Sequence, residues 1–289
     1  MNFQLSLLAH SSGSEAHGPS GPKARYGLAF GMFLALCLPQ GGGAQGIVMP
    51  ELIVTANDAT VLARADSLFD AWETEAAWEL LSARIDRLPM DYEARWRAAR
   101  VGLILGILEK DKILEVEWFE LAAANGAAAA EIRPRGIDGL YWAAASRGRQ
   151  ALQHGPRTST ELAQQMWDLT ERVLALDPEH GGGHNILGKL NFEVQTLGRI
   201  QRALARLVLR QPFLSETSWE KALYHHRRAV AAEPDVILFQ MDLGQALHRS
   251  GNSDEARGVL QRALLLPEVW PVDLEFKEQI RAYLEDEIG

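Results

Sequence analysis

The sequence predicts an all-α fold: a right-handed α-α superhelix of about five stacked helix pairs, closed by a C-terminal capping helix. Three observations carry that prediction. Apolar residues recur at helical spacing from residue 60 almost to the end of the chain, with no strand-like alternation of any length. Short motifs echo one another across 176–267: Leu187-Gly188 recurs as Leu243-Gly244, Asp177-Pro178 as Glu233-Pro234, and Lys221-Ala222-Leu223 as Glu255-Ala256-Arg257. Small residues stand twelve apart at Ala65 and Ala77, with Pro89 one step further, and again at Gly244 and Ala256. Small side chains at such positions let the two helices of a hairpin approach closely, and the proline stops the second one.

Taken in order, the elements fit a tetratricopeptide repeat of about 34 residues. Thr60 to Trp72 carries Val61, Leu62, Ala65, Leu68, Phe69 and Trp72 as one stripe; a second helix starts at Thr74, with Ala76, Ala77, Leu80, Leu81 and Ile85 inward. The second pair runs from Glu93 to Leu108 (Trp96, Ala99, Val101, Leu103, Ile104) and from Ile113 to Ile132 (Leu114, Val116, Trp118, Phe119, Leu121, Ala122). Glu109 to Lys112 forms the solvated turn between them, and Asn125-Gly126 is a candidate break in the second helix. Pro134, Gly136 and Gly139 mark the next boundary. The third pair is Leu140–Leu152 and Thr158–Leu176, joined by the turn His154-Gly155-Pro156. The fifth pair, Ile237 to Pro267, is the most regular, with Gly251-Asn252 as its tight turn. After Pro271, Asp273 is placed to cap a last helix carrying Leu274, Phe276, Ile280, Leu284 and Ile288.

The fourth pair is interrupted. His184, Leu187, Gly188 and Asn191 fit a first helix, but an inserted segment of about 195–212 precedes the partner helix at Glu216–Ala232, which carries Trp219, Ala222, Leu223 and Ala229. The run His184 to Val194, then Ile200 to Arg206 followed by Pro212, then Ser218-Trp219-Glu220-Lys221-Ala222-Leu223, resembles the regulator of microtubule dynamics family and its bacterial secreted relatives. In that family an inserted helix opens a diverged repeat, and a Tyr/Trp-Glu-x-Ala helix closes it. The resemblance spans residues 60–288 in layout and is specific across 176–267. It implies an all-helical scaffold that binds proteins.

Residues 1–46 read as a leader. Lys23 and Arg25 precede the apolar run Tyr26–Leu38, and the small-residue patch Gly41–Gly46 follows. Basic, apolar, then small is the order of a secretory signal peptide, placed at about 23–46, and the run is shorter than the roughly 20 residues of a membrane helix. Export across the inner membrane to the periplasm follows as the expected localisation, with 47–58 a linker and 59–289 the repeat domain. Removing the leader removes Cys37, the only cysteine, so the mature chain holds no disulfide, Cys-ligated zinc or thiol nucleophile. A net charge of −9 argues against general nucleic-acid binding.

No residues assemble into a catalytic constellation, so the expectation is a non-enzyme with no cofactor. The glycines Gly181 to Gly183 lack the preceding strand and following Lys-Ser/Thr of a phosphate loop. His180, His184, His225 and His226 fall short of a metal set by spacing and read as turn and packing histidines. Eight tryptophans at repeat-like intervals are explained mostly by packing between helices. Two candidate surfaces are left. First-helix residues face the concave side of such an array; by the resemblance these are Asn185, Lys189, Phe192 and Glu193, then Met241, Gln245, His248 and Arg249. They make either a groove for an extended protein or peptide segment, or contacts to the insert and the N-terminal helices. Arg199, Arg202, Arg206 and Arg210 form one stripe on the insert, which is either a solvated face or a surface for a partner or a peripheral membrane contact. The function expected is an exported protein-interaction scaffold, with a soluble ligand-binding component of a transport system as the alternative.

Overall fold

A computed structural model of the chain describes residues 56–198 and 213–288. Among these residues twelve α-helices stack as antiparallel pairs and no strand occurs. The pairs are α1 (Ala56–Asp70) with α2 (Thr74–Arg87), α3 (Tyr92–Leu108) with α4 (Lys112–Ile132), and α5 (Ile137–Leu152) with α6 (Pro156–Leu176). Next, α7 (Gly181–Thr196) pairs across the short α8 (Phe213–Glu216) with α9 (Trp219–Ala232). The last pair is α10 (Ile237–Arg249) with α11 (Ser253–Ala263), and α12 (Asp273–Tyr283) closes the array, ending in one π-helical turn, Leu284–Ile288. The leader, most of the linker and the insert's four arginines lie outside the described residues.

Local chemistry sets the helix starts. Asp91 accepts from the Ala94 amide at the head of α3, Asp111 from Ile113 and Leu114 at the head of α4, and Ser218 from Lys221 at the head of α9. Pro156 occupies the first turn of α6, where its missing N–H has no helical partner to lose. Gly251, with φ +95°, turns the chain between α10 and α11.

Close approach explains the echoing motifs. A Cβ on Gly244 would stand 2.5 Å from the Leu260 side chain, and one on Gly188 would stand 2.6 Å from His226 Nδ1. Glycine on the first helix thus meets the same turn of the second helix in both pairs, so α7 and α9 are true partners despite the insertion between them. The triple glycine is also a packing device. A Cβ on Gly181 would collide with Glu233 Oε1, one on Gly182 would lie 2.5 Å from the Tyr141 ring, and one on Gly183 3.1 Å from Leu174.

Several expectations need correction. Asn125-Gly126 does not break α4, which is continuous. Gly126 instead brings α5 in (a Cβ would be 2.7 Å from Ala143 Cα), and Asn125 accepts from Arg95 at 2.8 Å. The first, fifth and sixth helices begin a few residues earlier than the apolar periodicity indicates, at Ala56, Ile137 and Pro156. Asp273 does not cap α12; its carboxylate turns back to accept from the amides of Val269 (2.8 Å) and Trp270 (2.7 Å) and so fixes the preceding loop.

The array closes on itself. One apolar cluster contains Leu68, Phe69, Leu81 and Ile104 from the first helices together with Ile237, Met241, Leu260, Phe276 and Ile280 from the last. The segment between α11 and α12 makes the join. Trp270 packs edge-on against Phe69, with centroids 5.6 Å apart, and at 6.2 Å from Trp142. The Trp72 indole donates to the Val269 carbonyl at 3.3 Å, and Lys110 pairs with Glu275 at 3.3 Å. Trp72 holds φ at +64°, where a bulky residue is rarely found, immediately beside this contact.

Candidate interaction surface

Closure divides the inner face of the superhelix. Along α1 to α5 it is covered by the chain's own loop, with Trp270 against Phe69 and Trp142 in a cluster that also takes in Trp96 and Ala145. Along α5, α7 and α10 it is polar instead, and here three first helices converge.

A chain of hydrogen bonds runs through that polar bend. Asn185 Nδ2 donates to Asp242 Oδ2 at 2.9 Å, and Lys189 Nζ donates to Asp242 Oδ1 at 3.0 Å. Since the Asn185 amide nitrogen faces Asp242, its oxygen faces His226, and His226 Nδ1 carries the proton in that 3.1 Å contact. His226 is fully buried and its Nε2 has no partner among the described residues. Lys189 also reaches Gln245 Oε1 at 3.5 Å and Glu193 at 3.7 Å.

The electrostatics follow from burial opposed by pairing. Burial alone would raise the Asp242 carboxyl, but Lys189, His226 and the Asn185 amide outweigh it and hold the group below the usual carboxylate range. Burial would lower Lys189, yet Asp242 and Glu193 hold it above the ordinary lysine value. For Glu193 burial wins over Lys189, and its carboxyl is pushed up. Burial, reinforced by Lys189 and His225 and only partly opposed by Asp242, takes His226 down to about 4, so it is neutral at physiological pH. Arg149 on α5 is lowered by burial, with Asp242 and Glu115 partly offsetting it.

The structure distributes the sequence-predicted groove residues unevenly. Asn185, Lys189, Glu193 and Gln245 come together in the bend; Lys189 and Glu193 keep about a third of their side-chain surface accessible, 31% and 28%. Phe192 is buried against Trp219, with centroids 5.9 Å apart. Met241 lies in the core shared by the two ends of the array. His248 turns to Ser253 and the Tyr283 ring, and exposed Arg249 stands 4.0 Å from Glu287. Sequence reasoning missed Asp242 and Arg149. Asp242 is the single acidic residue of its first helix, which is the signal that could have found it; Arg149, two residues after Arg147, carries no such mark.

The other histidines are engaged structurally. His180 accepts from the Gly183 amide at the head of α7. His184 donates through Nε2 to the Pro178 carbonyl, so its Nδ1 accepts from His225 Nδ1 at 2.9 Å. Among the described residues no group of three potential metal ligands occurs, and no helix is long and apolar enough to cross a membrane.

The family model described as regulator of microtubule dynamics protein 1-3 matches residues 61–287. Similar solved structures include TTC0263, a thermophilic TPR protein of Thermus thermophilus, at 19% identity and a TM-score of 0.56, covering 78% of this chain and 98% of that one. MamA of Desulfovibrio magneticus matches at 14% identity and a TM-score of 0.44, covering 74% and 96%. The human IFIT1 dimer with PPP-AAAA matches at 16% identity and a TM-score of 0.44, covering 74% and 51%. These likenesses concern the fold. No curated protein matches the chain in sequence.

Proposed function

The chain belongs to the regulator of microtubule dynamics protein 1-3 family, and from that premise we propose that it is an exported, non-enzymatic scaffold whose inner bend over α5, α7 and α10 holds an extended segment of a partner protein. The observation that carries this reading is the chain's own loop at 264–272. It lies along the other half of the same inner face as a peptide ligand would, anchored by the Trp270 side chain and by the hydrogen bond from the Trp72 indole to the Val269 carbonyl. The covered half supports a face that takes an extended segment, and the polar half offers donors and acceptors of both signs without a covering segment from the described chain. The order of the leader, basic then apolar then small, supports export to the periplasm.

A photo-crosslinking residue at Gln245 of the exported protein tests the reading. A reproducible protein adduct at Gln245, absent when the crosslinker stands at Glu220 on α9, is the expected result. Adducts to small molecules alone would favour the transport-component alternative and sink the scaffold reading. Sequencing the mature N-terminus tests export separately: a chain beginning before residue 26 contradicts it.

A further inference from the structure

Resting on that reading, we propose that Arg149 anchors a carboxylate of the bound segment, so that the partner is an acidic stretch carrying Asp or Glu side chains. Arg149 follows Tyr141 and Ala145 at helical spacing along α5, and it stands within electrostatic range of Asp242 and Lys189 in the polar bend. It is only partly accessible, yet its guanidinium donates no hydrogen bond among the described residues. Its guanidinium nitrogens reach solvent, so their N–H donors are open to an incoming anion.

The nearby anions are already committed. Asp242 is held by Asn185 and Lys189, and Glu115 by Lys112 and by Gln153 at 3.2 Å. The inserted stretch 199–212 contains neither Asp nor Glu, so it carries no carboxylate to supply the missing pair. The planar fork of five donors suits a carboxylate taken bidentately. Lys189, two helices along the same bend, adds a second positive charge within electrostatic range of Arg149.

The test uses the full chain and two matched, end-blocked probes, acetyl-Gly-Phe-Glu-Glu-Phe-Gly-amide and its Gln-Gln counterpart, read by fluorescence anisotropy. The Glu probe binds wild type, and its affinity falls about 10-fold or more in R149Q and by less in R149K, as expected for a lost charge-assisted pair. The Gln probe binds wild type and R149Q alike, and weakly. Because the Arg149 guanidinium bonds to nothing among the described residues of the fold, R149Q melts no lower than wild type. A lower melting temperature assigns the guanidinium to the fold and overturns the proposal. So does equal binding of both probes, or Arg149-dependent binding of a 5′-triphosphorylated oligonucleotide that exceeds that of the Glu probe. If R149Q still gives the Gln245 adduct while the Glu probe binds neither protein, the carboxylate assignment fails and the scaffold reading stands; loss of the Gln245 adduct in wild type sinks the scaffold reading itself.

Discussion

Replacing Trp270 with alanine tests whether the array is closed by its own C-terminal segment. Truncating a buried tryptophan or phenylalanine costs about 3–5 kcal/mol. Trp270 is half-buried, which reduces that figure, and it loses ring contacts to Phe69 and Trp142. The expected loss is therefore about 2–3 kcal/mol, including about 0.5–1.5 kcal/mol for the favourable edge-on geometry. In a domain of this size that lowers the melting temperature by about 5–10 °C. Urea unfolding at neutral pH measures the free energy, and hydrogen exchange locates it: amides of α1 and α12 should exchange faster, because Trp270 joins those helices. Val269→Ala is the control, since Val269 is 61% exposed, and should change stability by under about 0.5 kcal/mol. A Trp270→Ala effect as small as that of the control, with α1 exchange unaltered, would refute closure.

Two further outcomes follow from the packing of α7 on α9. Gly188→Ala drives a methyl into the His226 ring, which is fixed by Asn185, and should destabilise by about 1–3 kcal/mol. Gly258→Ala on α11, whose nearest new contact is an Arg262 guanidinium nitrogen at 3.4 Å, should be neutral or gain about 0.5–1 kcal/mol; chemical denaturation distinguishes the two. The second outcome concerns acid. His226 titrates at about 4 folded and near its ordinary 6.5 unfolded, so the unfolded chain takes up a proton first as pH falls, and stability is lost below about 6.5. From pH 7.5 to 5 that loss is about 2 kcal/mol from this one group. His226→Gln should remove that part of the acid sensitivity when urea midpoints are followed across the same range; an unchanged slope would exclude a neutral buried imidazole.

The repeats were legible because they are local. Gly244 and Ala256, or Leu187 and Gly188, report how closely two neighbouring helices approach, and nearby residues determine that approach. Periodicity also assigns a residue to the inner face of its helix. It does not say how far the array bends, and bending decides what the inner face meets. Met241 and Gln245 lie one turn apart on α10, yet Met241 is buried with the first helices while Gln245 stays in the polar bend. Trp270 lies between Pro267 and Pro271, with no helical period around it, so its long-range role left no local mark. Arg149 and Asp242 acquire meaning only from each other and from Lys189, across three helices distant in sequence. The inserted stretch, the most distinctive feature of the sequence, lies mostly outside the described residues, and α7 runs on to Thr196 before it.

Hydrogen exchange on the complex with the protein captured through Gln245 tests the inner bend most directly. If a partner segment lies there, amides of α5, α7 and α10 gain protection together, while those of α9 and α11 on the opposite side of each pair exchange as in the free chain. Protection confined to α9 and α11, with α5 and α7 unchanged, would place the partner on the outer surface and contradict binding in the bend.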